Sequence, residues 1–332
     1  MSFALYRLPY ADTYTEIRHD GEPLILYALE DLQDKEGFVI APFNITEKTP
    51  LILIPSKESL IEEKNIKVAK DIDKEGKGKE INSISESYKK DFEKFHGAIV
   101  EGRFAKLVLA RTSEQPKEGC DLSDLFFSIC EEYPRAMVML FSSTQSGTWL
   151  MATPEILLDK QKSLFRTMAL AGTMPYDEGL PQWSEKNKHE QNIVERYIEG
   201  IITPLCTQII KDGPQSVRAG NLMHLRTDFR FHINNTSVGE LISKLHPTPA
   251  VCGLPKEEAR DFILKNESTE RKYYSGFAGP LNLNGETHLY VSLRCMNIQD
   301  DKIVVYAGGG IMKESVVEDE WKETELKLIR RV

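Results

Sequence analysis

Short apolar runs separated by turn-forming and charged residues mark the first part of this 332-residue chain. Within residues 23–54, "PLILYAL", "GFVIAPF" and "PLILIP" are broken by Pro, Gly and charge, and they read as strands. Residues 57–90 change character. Lys, Glu and Asp dominate there, and "DKEGKGKEINS" reads as an exposed loop between two helical stretches. In "SESYKKDFEKFHGAIVEGR", which begins at Ser85, Tyr88, Phe92 and Phe95 recur at helical spacing with Ile99 one turn on. A strand follows in "AKLVLARTS", a helix over roughly 121–131, and strands in "AMVMLFSS" and "TWLMATPEILLD". The turn "DKQKS" leads into "LFRTMALAGTM" and completes a hairpin.

Residues 185–210 predict a long helix with Ile193, Tyr197, Ile201 and Leu205 on one face and Pro204 as a point of bending. "THLYVSLRCMNIQDDKIVVYAGGGIM" predicts two strands joined at "QDDK". The closing stretch "EDEWKETELKLIRRV" predicts a helix, on which Glu320, Glu323 and Lys327 share one face. No internal repeat and no regular βαβ rhythm is present. The elements therefore predict an α+β fold with large, mostly antiparallel sheets and outer helices.

The length allows one large domain or two, with a sizeable core. A composition of 41% apolar and 28% charged residues is that of an ordinary globular protein. The formal charge of −9 argues against a nucleic-acid surface as the main partner, although a local site can oppose the global sign. The five cysteines are odd in number and contain no CxxC pair, so they read as reduced, intracellular and structural. The first twenty residues lack a basic segment followed by an apolar one, and no run approaches the roughly 18 apolar residues of a membrane span. The expected compartment is the cytoplasm, with no membrane partner.

Chemistry has several candidate homes. In "AKLVLAR", alternation puts Lys106, Val108 and Ala110 on one face and Leu107, Leu109 and Arg111 on the other. Apolar residues on both faces imply a strand buried on both sides, where a lysine loses hydration and becomes a candidate base; a strand-end lysine reaching out to solvent is the alternative. Glu155, after Pro154, has the apolar company that suits a general acid, as well as the setting of an ordinary surface glutamate. "LAGT" (170–173) and "AGGGI" (307–311) read as glycine-containing turns after strands, able to bring backbone N–H groups close to an anion. Neither is a nucleotide-binding signature. Arg294 alternates with Ser292 and Tyr290 on the more polar face of its strand, placed for a carboxylate ligand or for a structural ion pair. Glu190, Glu320 and Glu323 are carboxylates of a kind that would suit Mg²⁺, while their spacing alone favours ordinary glutamates of solvated helices with surface ion pairs; the dispersed histidines do not form a zinc site.

Taken together, "KLVLAR", "ATPEILL", "LAGT", "KNKHEQNIV", "HPTPAVCGLP", "YSGFAG", "SLRC", "AGGGI" and "EWKETELKL" run in one order across residues 95–330. That order resembles the chorismate-utilising enzymes, which include isochorismate synthase, salicylate synthase and anthranilate synthase component I. The resemblance implies one large α+β domain over 1–332, with a shortened N-terminal part (1–94) and a catalytic core (95–330). It implies chorismate as substrate and Mg²⁺ as cofactor. By the same resemblance Lys106 is the base that activates water for attack at C2, and Glu155 the acid that protonates the departing C4 hydroxyl. Glu190 and Glu323 would bind Mg²⁺, with Glu320 directly or through water. Tyr274, Arg294, Lys327 and the backbone around Gly309 and Gly310 would hold a carboxylate, and Thr173 and His224 would line the pocket.

Lys106 stands where the ammonia-using anthranilate synthases have glutamine, and Ala171 where aminodeoxychorismate synthases have lysine. Water is therefore the nucleophile this resemblance implies. "HPTPAVCGLP" is closer to the isochorismate synthases than to the salicylate enzymes. The expectation is an isochorismate synthase, monomeric, serving menaquinone or siderophore supply; the alternatives are a salicylate synthase and a non-catalytic chorismate-binding protein. Two departures stand out: "AGGG" where the family more often has "AGAG", and Asn187 where some members have an acidic residue.

Overall fold

The computed structural model describes residues 1–67, 83–117, 119, 121–177, 181–234 and 236–328. Six strands come first: β1 (Ser2–Arg7), β2 (Thr13–His19), β3 (Leu24–Leu26), β4 (Gly37–Ala41), β5 (Leu51–Pro55) and β6 (Leu60–Asn65). Helix α1 (Glu86–Val100) leads to β7 (Lys106–Pro116), α2 (Leu122–Glu132), β8 (Met137–Ser143), β9 (Gly147–Thr153), β10 (Ile156–Gln161) and β11 (Leu164–Pro175). Then come α3 (Glu185–Ile202), the long hairpin β12 (Cys206–Ala219) and β13 (Leu222–Ile233), α4 (Val238–Leu245), β14 (Gly253–Leu254) and α5 (Lys256–Asn266). The chain continues with β15 (Phe277–Leu281), β16 (Thr287–Val291), β17 (Cys295–Ile298), β18 (Lys302–Ile311) and α6 (Val317–Lys327).

The strands form two nine-stranded sheets, in the orders β14-β7-β18-β17-β9-β8-β1-β2-β6 and β12-β13-β11-β10-β16-β15-β4-β5-β3. Neighbouring strands run antiparallel, as in the ladders β18–β7, β11–β13 and β15–β4. Side-chain alternation explains how the sheets stack. Phe38, Ile40, Ile52 and Ile54 enter a cluster with Tyr6, Met139, Phe141 and Trp149 of the other sheet. Their neighbours Val39, Ala41, Leu51 and Leu53 point the other way, into a cluster with Val194 and Ile198 of α3 and Leu241 and Leu245 of α4. Helix α2 covers the outer face of the first sheet through Phe126 and Ile129, and α1, α5 and Trp321 of α6 gather around Leu107 and Leu109 of β7. The predicted α+β class, with mostly antiparallel sheets and outer helices, is what the chain adopts.

Several boundaries differ from the sequence reading. The helical stretch expected after residue 57 is instead the edge strand β6, paired with β2; the loop expected at "DKEGKGKEINS" lies, but for Ser83, outside the described residues. Helix α3 stops at Ile202 and Pro204 ends it instead of bending it, because proline supplies no N–H; Cys206 onward is strand. "LAGT" and "AGGG" are not turns after strands but lie within β11 and β18, carried by their ladders. The strand read through "TWLMATPEILLD" breaks at Pro154 and Glu155, and the one read through "LYVSLRCM" breaks at Ser292–Arg294. Among the described residues no helix is long and apolar enough to cross a membrane. Cys130, Cys206, Cys252 and Cys295 are free and buried.

Candidate active site

Both of those breaks are places where the chain leaves one sheet for the other. Strand β9 belongs to the first sheet and β10 to the second; β16 belongs to the second and β17 to the first. The two crossings are stitched together by backbone hydrogen bonds, Val291 N–H donating to Glu155 O at 2.9 Å and Ala152 N–H to Arg294 O at 3.2 Å. The fold therefore delivers Glu155 and Arg294 side by side.

Arg294 has φ +45°, a left-handed conformation uncommon for a side chain of its size. Its guanidinium donates to Ala219 O at 2.9 Å and lies 3.2 Å from His224 Nε2. His224 Nδ1 lies 3.0 Å from Gly172 O, which can only accept, so Nδ1 carries the hydrogen and Nε2 receives the arginine. The β-bulge between Ala171 and Thr173, with Gly172 at φ +69°, sits opposite His224. Burial, reinforced by Arg294 and Lys327, holds the imidazole neutral, with its pKa lowered to about 3.

Glu155 is 2% exposed, and Thr248 Oγ1 lies 3.4 Å from its Oε1. Burial pushes its carboxyl up to about 8, against the opposing pull of Lys106 and Thr248. Lys106 is fully buried on β7, on the face shared with Val108, and forms an ion pair with Glu190 of α3 at 2.8 Å. The snorkelling alternative therefore does not apply. Burial pushes the Glu190 carboxyl up, but Lys106, Lys327 and Lys186 outweigh it and the net shift is downward.

The glycines of β18 make room for this pair. A Cβ at Gly310 would lie 2.2 Å from Glu190 Oε1 and 2.8 Å from Lys106 Cε; one at Gly308 would lie 2.6 Å from the Tyr274 hydroxyl. Helix α6 approaches the same strand from the other side. Glu323 pairs with Lys327 at 2.7 Å, and Lys327 Nζ donates to Gly308 O at 3.0 Å. Glu320 is 1% exposed, pairs with Lys186 and accepts from Ser315 Oγ at 2.6 Å. Burial and the neighbouring Glu323 push its carboxyl up to about 7.

A cavity opens among these groups. Of the residues singled out in the sequence, Glu155, Thr173, Glu190, His224, Tyr274, Arg294, Gly310 and Lys327 line it. Lys106 stands behind Glu190, and Gly309 faces α6, where a Cβ would lie 3.2 Å from Glu320 Oε2 and 3.7 Å from Glu323 Oε1.

The family model described as "Chorismate binding enzyme" matches residues 36–330. The chain belongs to this family. It is 29% identical over 261 residues to isochorismate synthase DhbC of Bacillus subtilis, which covers 73% of the chain and 66% of the relative. It is 30% identical over 259 residues to isochorismate synthase MenF of Escherichia coli, covering 69% of the chain and 55% of the relative. The matched stretch thus spans between about half and two thirds of these relatives' length. The solved structure of the menaquinone-specific MenF superposes with a TM-score of 0.79 at 21% identity, covering 98% of this chain and 87% of that one. Anthranilate synthase component I of Streptococcus pneumoniae shares the fold at a TM-score of 0.68 and 17% identity, covering 98% and 91%.

For a chorismate-binding protein the donor chemistry of Glu190, Glu320 and Glu323 suits a hard cation such as Mg²⁺. Glu320 Oε2 is buried without a hydrogen-bond partner among the described residues, on the side that faces Gly309. The carboxylates are not gathered into a formed ion site: among the described residues no three acidic, His or Cys side chains are grouped for a metal. Each is turned to a lysine instead, Glu190 to Lys106, Glu320 to Lys186 and Glu323 to Lys327. Spacing had placed Glu320, Glu323 and Lys327 on one face, which accounts for the Glu323–Lys327 pair, but it could not supply the partners of Glu190 and Glu320. Lys186 and Thr248 were missed as individual residues. Their only signal was membership of the quoted "KNKHEQNIV" and "HPTPAVCGLP" stretches, since each contact joins segments more than ninety positions apart.

Proposed function

We propose that this chain is an isochorismate synthase, which converts chorismate to isochorismate by addition of water at C2 and loss of the C4 hydroxyl. The observation that carries the reading is a buried, proton-holding carboxylic acid lining the cavity, Glu155, with a buried lysine, Lys106, directly behind the Glu190 that lines it too. Similarity to isochorismate synthases supports it.

In this reaction Lys106 accepts a proton from the attacking water while Glu155 gives one to the C4 oxygen, which leaves as water. The ring double bonds shift between the two carbons, so the hydroxyl gained balances the hydroxyl lost. A proton returned from Lys106 to Glu155 resets the pair. For this role the Lys106–Glu190 ion pair has to break and Lys106 has to give up its ion-pair proton, so that a neutral amine meets the attacking water. Tyr274, Arg294, Lys327 and the backbone around Gly309 and Gly310 hold one carboxylate, with His224 fixing the arginine and Thr173 lining the pocket. Glu190, Glu320 and Glu323 would hold Mg²⁺, which supplies positive charge for the substrate's other carboxylate. The reading takes the protein as a cytoplasmic monomer, feeding menaquinone or siderophore synthesis.

The test is incubation of the purified protein with chorismate, with and without Mg²⁺, and chromatographic separation of the products. Mg²⁺-dependent isochorismate alone is the expected result. Salicylate with stoichiometric pyruvate would make the protein a salicylate synthase. Bound but unconverted chorismate would make it a non-catalytic binding protein.

A further inference from the structure

Beside the candidate active site lies a second cavity, of about 230 Å³ against about 80 Å³ for the first. Pro154 and Arg294 line both, so the two share a wall. Three arginines, Arg135, Arg218 and Arg294, line the second cavity against one carboxylate, Glu132. The C-terminal end of α2 also reaches this wall, and its free carbonyls would offset the positive charge. Arg7, only 2% exposed, removes that effect by donating to Pro134 O and Tyr133 O at 2.7 Å and to Cys130 O at 3.3 Å.

The arginines are held differently. Arg218 is braced, with Nε donating to Gly220 O at 2.8 Å and its guanidinium 3.7 Å from the Tyr176 ring centroid. Arg135 is exposed and has no hydrogen bond or ion pair among the described residues. Tyr133, Pro134 and Pro154 supply apolar wall. A cationic cavity of this size, with a free guanidinium and flat apolar sides, matches an anion attached to one small ring.

We propose that this cavity is a second binding site, for a single-ring carboxylate of the benzoate type. The carboxylate pairs with Arg135 and Arg218 while the ring lies against Tyr133 and the two prolines. Because Arg294 belongs to both cavities, occupancy here lowers chorismate affinity in the first, and chorismate lowers benzoate affinity by the same factor. That coupling rests on the function proposed above; the binding itself does not.

The experiment is calorimetric titration of the full-length protein with benzoate, repeated on Arg135→Ala and Arg218→Ala. Wild-type protein is expected to bind benzoate, and each variant to weaken it at least tenfold with chorismate affinity unchanged. Thermal melts confirm folding, and Arg135→Lys, which keeps the charge but loses the two-pronged contact, is expected to fall between. Absence of benzoate binding by the wild type would overturn the proposal. So would unchanged affinity in both alanine variants, which would place benzoate in the first cavity. Inorganic phosphate binding as tightly as benzoate would overturn the ligand class. None of these readouts depends on turnover, so the product assay can fail or succeed independently.

Discussion

Lys106 Nζ lies 2.8 Å from Glu190 Oε1, an ion pair between a buried strand and a buried helix face. Removing one partner of such a pair leaves the other charge stranded, at a cost of about 3–5 kcal/mol. Lys106→Ala is therefore expected to lower stability by that order in chemical denaturation, whereas Lys106→Met combined with Glu190→Gln loses less. Equal losses in the two proteins would mean that the pair is not the source. Lys106→Ala is also expected to reduce turnover by at least about 10²-fold, with chorismate binding still measurable.

Glu155 gives a pH dependence of definite sign. With its carboxyl raised to about 8, it holds the proton an acid needs at neutral pH, and turnover is expected to fall as pH rises through about 8. Stability moves the same way. The unfolded chain releases this proton near 4.5 and the folded one near 8, so the contribution is full below 4.5 and is lost as pH rises through about 8. Glu155→Gln is expected to abolish turnover and to flatten that stretch of the stability profile. An unchanged rate would sink the acid role.

The sheets were legible because period-2 alternation survives wherever a strand stays in one sheet, as in Phe38–Ala41. The face assigned to Lys106 and Val108 was legible for the same reason. What alternation could not show is where a strand changes sheets, and Glu155 and Arg294 sit at those crossings. At Arg294 the left-handed backbone overrides the polar-face assignment made from Tyr290 and Ser292. The lysine partners of Glu190 and Glu320 were equally out of reach, because those pairs meet only through tertiary packing, whereas Glu323 and Lys327 pair at the helical spacing the sequence shows. The long hairpin β12–β13 was missed because much of β12 is exposed on both faces and carries no apolar alternation.

Gly310 tests how tightly the backbone of β18 holds the pair. A methyl group there would meet Glu190 Oε1 at 2.2 Å and Lys106 Cε at 2.8 Å, so the side-chain ends must move. Both are ends of flexible side chains, and the fold is expected to survive in circular dichroism. Displacement of about 1 Å at reacting groups costs about 10²-fold, so Gly310→Ala is expected to lose turnover on that scale. Gly309→Ala, whose nearest contact is Glu320 Oε2 at 3.2 Å, is expected to lose less. The reverse order would show that Gly310 does not set the pair.

Glu320 tests the cation reading. Its Oε2 is buried without a hydrogen-bond partner among the described residues, and burying an unpaired polar atom is unfavourable unless something else satisfies it. If that partner is Mg²⁺, Glu320→Gln removes a charge that attracts the ion but keeps the side chain's shape. The expected result is Mg²⁺ binding weakened at least about tenfold by calorimetry, together with a lowered thermal melt of the metal-free protein, because Lys186 loses its charged partner. Chelator is expected to stop turnover of the unmodified protein and added Mg²⁺ to restore it. Full activity in chelator, or unaltered Mg²⁺ affinity in Glu320→Gln, would remove these carboxylates from the cofactor's site and leave the lysine pairs as their whole function.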